Sequence, residues 1–186
     1  MKVSFSFCLV NLLIFFFTGC GIKTQEYHSS ADNVIELKKY STKVAVGNFS
    51  ANNAGESHIL CRLAETISTP SGEPFSEYIR KALIEELKIA GLYDKNSNIV
   101  IIGNLNNIYG SSALANAYWE FDVTISQENT SKTFNIQSKT NYPSAFLAFT
   151  ACTNMAATLN KGVKELVNKI IIHKEFADIM QDYKKQ

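Results

Sequence analysis

The sequence predicts an α+β fold, a two-layer sandwich in which two main helices cover one face of a four-stranded mixed sheet. Polar and apolar side chains alternate over 118–127, which is typical of a strand with one buried face. Apolar side chains recur at helical spacing over 74–90 and again over 145–172. The element order is β-α-β-β-β-α, plus a short C-terminal helix. Elements in this order pack as two layers around one core.

The first strand and helix begin the domain. Val44 and Val46 share one face of a strand over 43–49, and Pro74 and Gly91 suit the start and the end of the helix between them. The connection over 50–73 is longer than most loops, which indicates a function or a covalent constraint. A β-α-β unit normally makes a parallel crossover, so we expect the first two strands to be parallel.

Three further strands are predicted at 98–109, 118–127 and 133–142, as an antiparallel meander. Trp119 falls on the apolar face, and we expect it in the core. Glu120 and Asp122 fall on the opposite, polar face, which would be wet or would meet a partner. Residues 104–117 contain Tyr109 and several small residues, so we interpret this segment as either a wide turn or a recognition loop.

A long helix over 145–172 places Cys152 on its core-facing stripe. Residues 174–185 either continue it or form a second short helix. Phe176 and Met180 belong to one apolar stripe of that segment. The stripe would dock either on this domain or in a groove of a partner, so both residues are candidate partner-binding residues.

The N-terminal run predicts a lipoprotein signal peptide over 1–19. Lys2 gives a positive start, an apolar run extends to Phe17, and Thr18-Gly19 precede Cys20. This motif resembles the lipobox of bacterial lipoproteins, in which the cysteine becomes the acylated first residue. The resemblance implies lipid on Cys20, and Gly21 in the next position favours the outer membrane, facing the periplasm.

After the signal peptide we expect two parts. Residues 20–42 read as the lipidated cysteine and a flexible tether, although 34–40 already have some apolar residues that could pack on the domain. Residues 43–186 form a single periplasmic α+β domain. Cys61 and Cys152 are then the two cysteines left in an oxidising compartment, and we predict a disulfide between them. The alternative, a metal site with His58, has no C-x-x-C spacing to support it.

Charge and motifs exclude several functions. The whole chain has a formal net charge of +1, and removal of the signal peptide removes Lys2, which argues against nucleic-acid binding. No phosphate-binding loop or nucleophile motif occurs, so we expect no cofactor and no enzyme activity. Glu120 and Asp122 could form a carboxylate pair for acid/base work, but a solvated strand face explains them more simply. Arg62 could bind an anion, but a structural role is favoured.

A set of positions spread over most of the domain carries a family resemblance: Cys61-Arg62, Pro70, Pro74-Phe75, Glu77-Tyr78-Ile79, Ala82, Glu86-Leu87, Ala90-Gly91, Tyr93, Trp119 and Ala151-Cys152. This set resembles a family of uncharacterised proteobacterial lipoproteins that carries no assigned activity. The element order is also similar to lipoproteins of lipopolysaccharide assembly, activators of peptidoglycan synthases and auxiliary lipoproteins of ABC transporters.

These features together predict a non-enzymatic adaptor or accessory protein of the cell envelope. It would be held to the membrane by its N-terminal lipid and would bind an envelope protein through the polar sheet face, the sheet edge or the 104–117 segment. The alternative is a binder of a small or lipidic ligand, acting as an accessory in envelope lipid or glycan transport. Such a binder would need an apolar pocket between the helices and the sheet.

Overall fold

The computed structural model describes residues 21–63 and 65–181, and its fold is α+β, as predicted. In chain order, the elements within these residues are β1 (Ile22–Lys23), α1 (Ala31–Leu37), β2 (Ala45–Ala51), β3 (His58–Cys61), β4 (Glu65–Ser68), α2 (Phe75–Ile89), β5 (Val100–Ala113), β6 (Asn116–Gln127), β7 (Thr133–Asn141), α3 (Ala148–Ile171) and α4 (Lys174–Gln181).

The main sheet has the strand order β2-β5-β6-β7. β2 and β5 are parallel, while β5, β6 and β7 form an antiparallel meander, so both predictions of strand direction are confirmed. α2 packs on β2, and α3 packs on β6 and β7. The two main helices thus cover the apolar face of this sheet, and the result is a two-layer sandwich.

The core lies between this sheet and α3. Trp119 and Phe121 are fully buried, and the Trp119 indole N–H donates a hydrogen bond of 2.9 Å to the Met155 carbonyl oxygen. Gly162 of α3 allows the close approach, because a Cβ there would lie 3.0 Å from the Phe121 ring. The predicted core position of Trp119 is therefore confirmed.

The β5–β6 hairpin is longer than predicted, and the 104–117 segment is not a loop. The two strands stay paired as far as Ala113 and Asn116, and two residues join them. Gly110 explains the extension: a Cβ at this position would lie 2.0 Å from the Met155 methyl group and 3.1 Å from the Trp119 ring. Small residues here let the strand pass over the core, whereas the sequence alone suggested a turn.

The long 50–73 connection contains a hairpin, which the sequence did not reveal. β3 and β4 are antiparallel, and β1 adds to β4 in parallel, which gives a small second sheet of order β1-β4-β3. A disulfide joins Cys61 at the end of β3 to Cys152 in α3, with a Cα–Cα distance of 5.8 Å. The predicted pairing is present, and it holds this hairpin against the main body.

The prediction of a flexible tether over 20–42 is wrong for the part of it that the structure describes, although the packing that the sequence allowed over 34–40 is present. This segment forms β1 and α1, and Tyr27, Asn33 and Leu37 are buried. The carboxylate of Glu86 on α2 accepts hydrogen bonds from the Tyr27 hydroxyl at 2.6 Å and from the Ser30 N–H at 2.8 Å. Polar composition suggested a solvated coil, but these polar groups find buried partners in the domain.

Candidate functional site

The outer face of the main sheet is the first candidate surface. No helix among residues 21–63 and 65–181 packs on it. Its side chains are at least partly exposed and are polar, apart from Val100 and Ile102 near Gly47. Alternation along β6 directs Asp122 and Thr124 to this face while their neighbours enter the core. We call it the polar sheet face, and define it by Ser50, Asn52, Asn104, Asn106, Tyr109, Tyr118, Glu120, Asp122, Thr124, Asn135, Gln137 and Lys139.

Hydrogen bonds join side chains of the polar sheet face across all four strands. The Asp122 carboxylate is the centre: it accepts bonds from the side-chain amides of Asn106 at 2.7 Å, Asn135 at 2.7 Å and Gln137 at 3.1 Å. Asn104 donates to Asn106 at 2.7 Å and extends the network towards β2. Three further bonds complete the network. The Asn104 amide donates to the Asn52 side-chain oxygen at 3.0 Å, the Ser50 hydroxyl donates to the Asn104 side-chain oxygen at 2.7 Å, and the Asn106 amide donates to the Thr124 hydroxyl at 2.8 Å.

A β-bulge in β5 positions Asn106, which lies in the middle of this network. The pairing of β5 with β6 shifts between Leu105 and Asn107, so that Asn106 has no direct partner residue on β6. Its amide therefore reaches both Asp122 and Thr124. Two-residue alternation alone does not reveal such a shift, so the sequence does not predict that Asn106 lies at the centre of a network.

The electrostatics of Asp122 suit recognition rather than proton transfer. The hydrogen bond from Asn106, followed by that from Asn135, lowers the pKa of the Asp122 carboxyl below its usual value. Asp122 thus stays ionised at neutral pH and acts as an acceptor. A general acid or base works best with a pKa near the working pH, so this carboxylate is poorly suited to acid/base work.

We expect the Asp122 carboxyl to titrate below its ordinary pKa of 3.8 in the folded protein. Because the folded-state pKa is depressed, the stabilisation is present above the unfolded-state pKa and is lost as the pH falls through the folded-state pKa. An NMR titration of the carboxyl carbon measures the midpoint. Asn106→Ala should raise it, while Lys161→Ala on α3 should leave it unchanged. A wild-type midpoint at or above 3.8 would contradict the network.

The predicted residues Tyr109, Glu120 and Asp122 all lie on the polar sheet face. Tyr109 pairs directly with Glu120 across the β5–β6 ladder, and 51% of its surface is exposed. Its ring contacts Tyr118, with a centroid distance of 5.9 Å, and the Lys139 ammonium lies 3.6 Å from the centre of the Tyr118 ring. The face therefore combines an aromatic patch with the amide network.

Phe176 and Met180 are buried against their own domain, which is the first of the two alternatives for this stripe; their prediction as partner-binding residues is wrong. Phe176 is 0% and Met180 1% exposed, because α4 docks on its own domain. The Phe176 ring packs edge-on against Tyr40, at a centroid distance of 6.0 Å. Tyr40 ends the 34–40 stretch that the sequence allowed to pack on the domain, but the sequence did not identify it as the docking partner of the C-terminal helix.

A second candidate surface lies at one end of the domain and was not predicted. Five large apolar side chains are exposed there: they come from the β3–β4 turn, the β5–β6 turn, and the segment that leads into the first turn of α3. Arg62 connects these turns, since its guanidinium donates to the carbonyl oxygens of Ser112 at 2.8 Å, Ala145 at 2.8 Å and Phe146 at 2.7 Å. The favoured structural role of Arg62 fits these bonds. We call this surface the apolar end, formed by Leu63, Leu114, Phe146, Leu147 and Phe149.

The region between the helices and the sheet is filled by side chains where a ligand pocket would be needed. The close contacts of Gly110 with Met155, and of Gly162 with Phe121, leave no gap at these places. A surface depression lies elsewhere, on the outer side of α2. It is lined mostly by charged side chains: Arg80, Lys81, Ile84, Glu85, Lys88 and Tyr93.

Cys20, the predicted lipidation site, lies outside the residues that the structure describes. Within 21–63 and 65–181, no helix has the length and apolar character needed to cross a membrane.

Comparison with known proteins supports the fold alone. No family model matches the chain, and no curated protein matches it. The crystal structure of protein XCC0632 from Xanthomonas campestris, of the family DUF330, is similar, with a TM-score of 0.53 and 11% sequence identity. The match covers 88% of this chain and 99% of that chain. This chain therefore shares a complete α+β domain fold with a protein of that family.

Proposed function

We propose that this chain is a non-enzymatic accessory protein of the bacterial cell envelope. Lipid on Cys20 would anchor it to the outer membrane, facing the periplasm. The lipobox-like run Phe17-Thr18-Gly19-Cys20 supports the anchor, and Gly21 after the cysteine supports the outer membrane. A lipoprotein carries more than one acyl chain, which is enough for stable attachment.

We further propose that the polar sheet face binds an envelope protein. The observation that carries this proposal is the hydrogen-bond network that joins side chains of all four strands, on a face that no helix within 21–63 and 65–181 covers. These side chains are already ordered, so less conformational entropy is lost on binding. The near-zero charge of the mature chain favours recognition by hydrogen bonds and the Tyr109 aromatic patch over long-range steering.

Two other functions have less support. In a hydrolase using Glu120 and Asp122, Asp122 could not serve as the general acid near neutral pH, because its pKa is lowered. A binder of a small or lipidic ligand would need an apolar pocket between the layers, where Met155 and Phe121 instead make close contacts. Both arguments favour a protein partner on the open sheet face.

The test is photocrosslinking of the lipidated protein in its native envelope. A photoreactive side chain at Gln137, on the exposed side of β7, should capture one envelope protein. The same group at Lys161, which is exposed on α3, should not capture it. Asp122→Ala should reduce capture from Gln137 by about tenfold, which corresponds to about 1.4 kcal/mol.

Equal capture from Gln137 and Lys161 would contradict a specific role for the sheet face. So would capture that Asp122→Ala leaves unchanged. Asp122 is partly exposed, so its substitution should preserve the fold, and a circular dichroism spectrum checks this.

A further inference from the structure

We infer that the apolar end of the domain is seated in the headgroup region of the membrane that carries the lipid on Cys20. This inference rests on the proposed lipid anchor and goes beyond it. An anchor alone leaves the orientation of a domain open, whereas a seated end fixes it. With this end seated, the rest of the domain, including the polar sheet face, extends away from the bilayer.

The ordered backbone leaves almost no length of chain between Cys20 and the domain. Ile22 pairs with Ile67 of β4, and the Thr24 N–H donates to the Ser68 carbonyl oxygen at 2.9 Å. Gly21 also lies against β4, because a Cβ there would be 2.5 Å from the Thr66 hydroxyl oxygen. Consecutive Cα atoms are about 3.8 Å apart, so the lipid would be attached at the surface of the domain.

The direction of β1 fixes which surface this is. β1 runs parallel to β4, with Ile22 beside Ile67 and Lys23 beside Ser68. Following the chain back from Ile22 therefore leads towards the start of β4 at Glu65 and to the β3–β4 turn. Leu63 in that turn is 89% exposed. The chain thus enters β1 from the end of the domain where the apolar residues gather.

Two sets of contacts bring Leu114 and the 146–149 segment to the same end of the domain as Leu63. Arg62, in the β3–β4 turn, holds the carbonyl groups of Ser112 and Phe146, which lie close to the β5–β6 tip and in the segment before α3. The Cys61–Cys152 bond ties the same turn to the beginning of α3. Leu114 and the 146–149 segment are consequently neighbours of Leu63 and of the anchor.

The chemistry of this end suits a lipid surface. No Asp, Glu, Lys or Arg occurs between Lys95 and Glu120, or between Lys139 and Lys161, and these stretches supply four of the five apolar residues. Phe146 is 81% exposed, and clustered exposed aromatic and aliphatic side chains mark an interaction site. Such side chains partition into the boundary between headgroups and acyl chains. With the lipid at the same end, the bilayer is the nearest apolar medium.

The experiment measures depth with a fluorescent probe on the lipidated protein. Phe146→Cys and Leu114→Cys each carry a nitrobenzoxadiazole group. Ile172→Cys is the matched control, since Ile172 is also an exposed apolar residue, 55% exposed, but lies just beyond the C-terminal end of α3. The 24-residue helix places it about 36 Å from the helix start. The native cysteines do not compete for the label if Cys20 is lipidated and Cys61 and Cys152 stay bonded.

The proteins are reconstituted into phosphatidylethanolamine–phosphatidylglycerol vesicles that contain lipids brominated on their acyl chains. We expect quenching at positions 146 and 114 to exceed that at 172 by roughly threefold or more, with a blue-shifted emission. Equal quenching at all three positions on a lipidated protein would overturn the seating while leaving the anchor intact. A purified chain whose mass shows no lipid would overturn both.

A protein partner on the apolar end would give a different result. The probe at position 146 would then be shielded from aqueous iodide in native envelopes but would not be quenched by brominated lipid in vesicles. That combination would overturn the membrane as the occupant. The three labelled positions are exposed, so the substitutions leave the core unchanged.

Discussion

Replacing both Cys61 and Cys152 by alanine is expected to lower the free energy of unfolding by about 4–5 kcal/mol. The bond joins residues separated by 91 positions, and a closed loop of this size strongly restricts the unfolded chain. Both cysteines are buried, at 1% and 0% exposure, and alanine fits their sites without introducing a polar group. Urea denaturation of the oxidised wild type and the double variant, followed by circular dichroism, gives the difference.

The wild type with its disulfide reduced is the matched control for this prediction. It should unfold close to the double variant, because both lack the same covalent constraint. A loss of less than about 1 kcal/mol in the double variant would contradict the constraint argument. Hydrogen exchange should also increase first in β3 and β4, since the bond holds this hairpin to α3.

The main sheet and the two large helices could be predicted because their patterns are local. In β6, Trp119 and Phe121 alternate with Glu120 and Asp122, and a strand must direct these two sets to opposite faces. In α2, Ile79, Ala82 and other apolar residues recur at helical spacing. Because each of these elements buries one face, its local pattern is enough to predict whether it is a helix or a strand.

The packing of the N-terminal segment could not be predicted in full, because residues far away in the chain create it. The buried hydrogen bond of Tyr27 goes to Glu86, 59 positions away, and the Asn160 amide donates to the Glu26 carbonyl oxygen across 134 positions. Such partners leave no periodic signal in the sequence. Composition correctly marked these residues as polar, but it does not show whether a polar group meets water or a buried partner.

The candidate site also has one part that the sequence predicts and one part that it does not. The polar sheet face follows from the alternation in β6, which correctly grouped Glu120 with Asp122. The network around Asp122 depends on the bulge at Asn106, which simple alternation does not indicate. The stripe of Phe176 and Met180 was correctly identified as apolar, but a stripe looks the same in the sequence whether it docks on its own domain or on a partner. Here its contact is Tyr40, the last residue of the 34–40 stretch that the sequence allowed to pack on the domain.

Glu86→Ala is expected to lower the free energy of unfolding by about 3 kcal/mol. The side chain is 0% exposed, and one of its oxygens accepts from the Tyr27 hydroxyl, the Ser30 N–H and the Asn33 amide at 3.2 Å. Without the carboxylate these buried donors lose an acceptor, and each unsatisfied group costs about 1–3 kcal/mol. Burial, and then this hydrogen bond, also raise the pKa of Tyr27, so the phenol remains a donor. Chemical denaturation measures the loss.

Two matched variants separate the role of Glu86 from a general effect on α2. Glu85→Ala changes the neighbouring carboxylate, which is only partly buried, and should change stability by less than about 0.5 kcal/mol. Glu86→Gln keeps an acceptor oxygen and should lose less than half as much as Glu86→Ala. If the glutamine and alanine variants were equally unstable, the negative charge rather than the acceptor geometry would hold the segment.

Glu86→Ala should also free the N-terminal segment before the whole domain unfolds. Tyr27, Ser30 and Asn33 connect this segment to α2, so trypsin should cut after Lys38 or Lys39 faster in the variant than in the wild type. Residues 27–40 would become mobile, while the pairing of Ile22 with Ile67 would still hold the start of β1 beside the apolar end. In the labelled protein, quenching at position 146 should therefore stay above that at position 172. Unchanged cleavage would show that contacts other than those of Glu86 hold the segment.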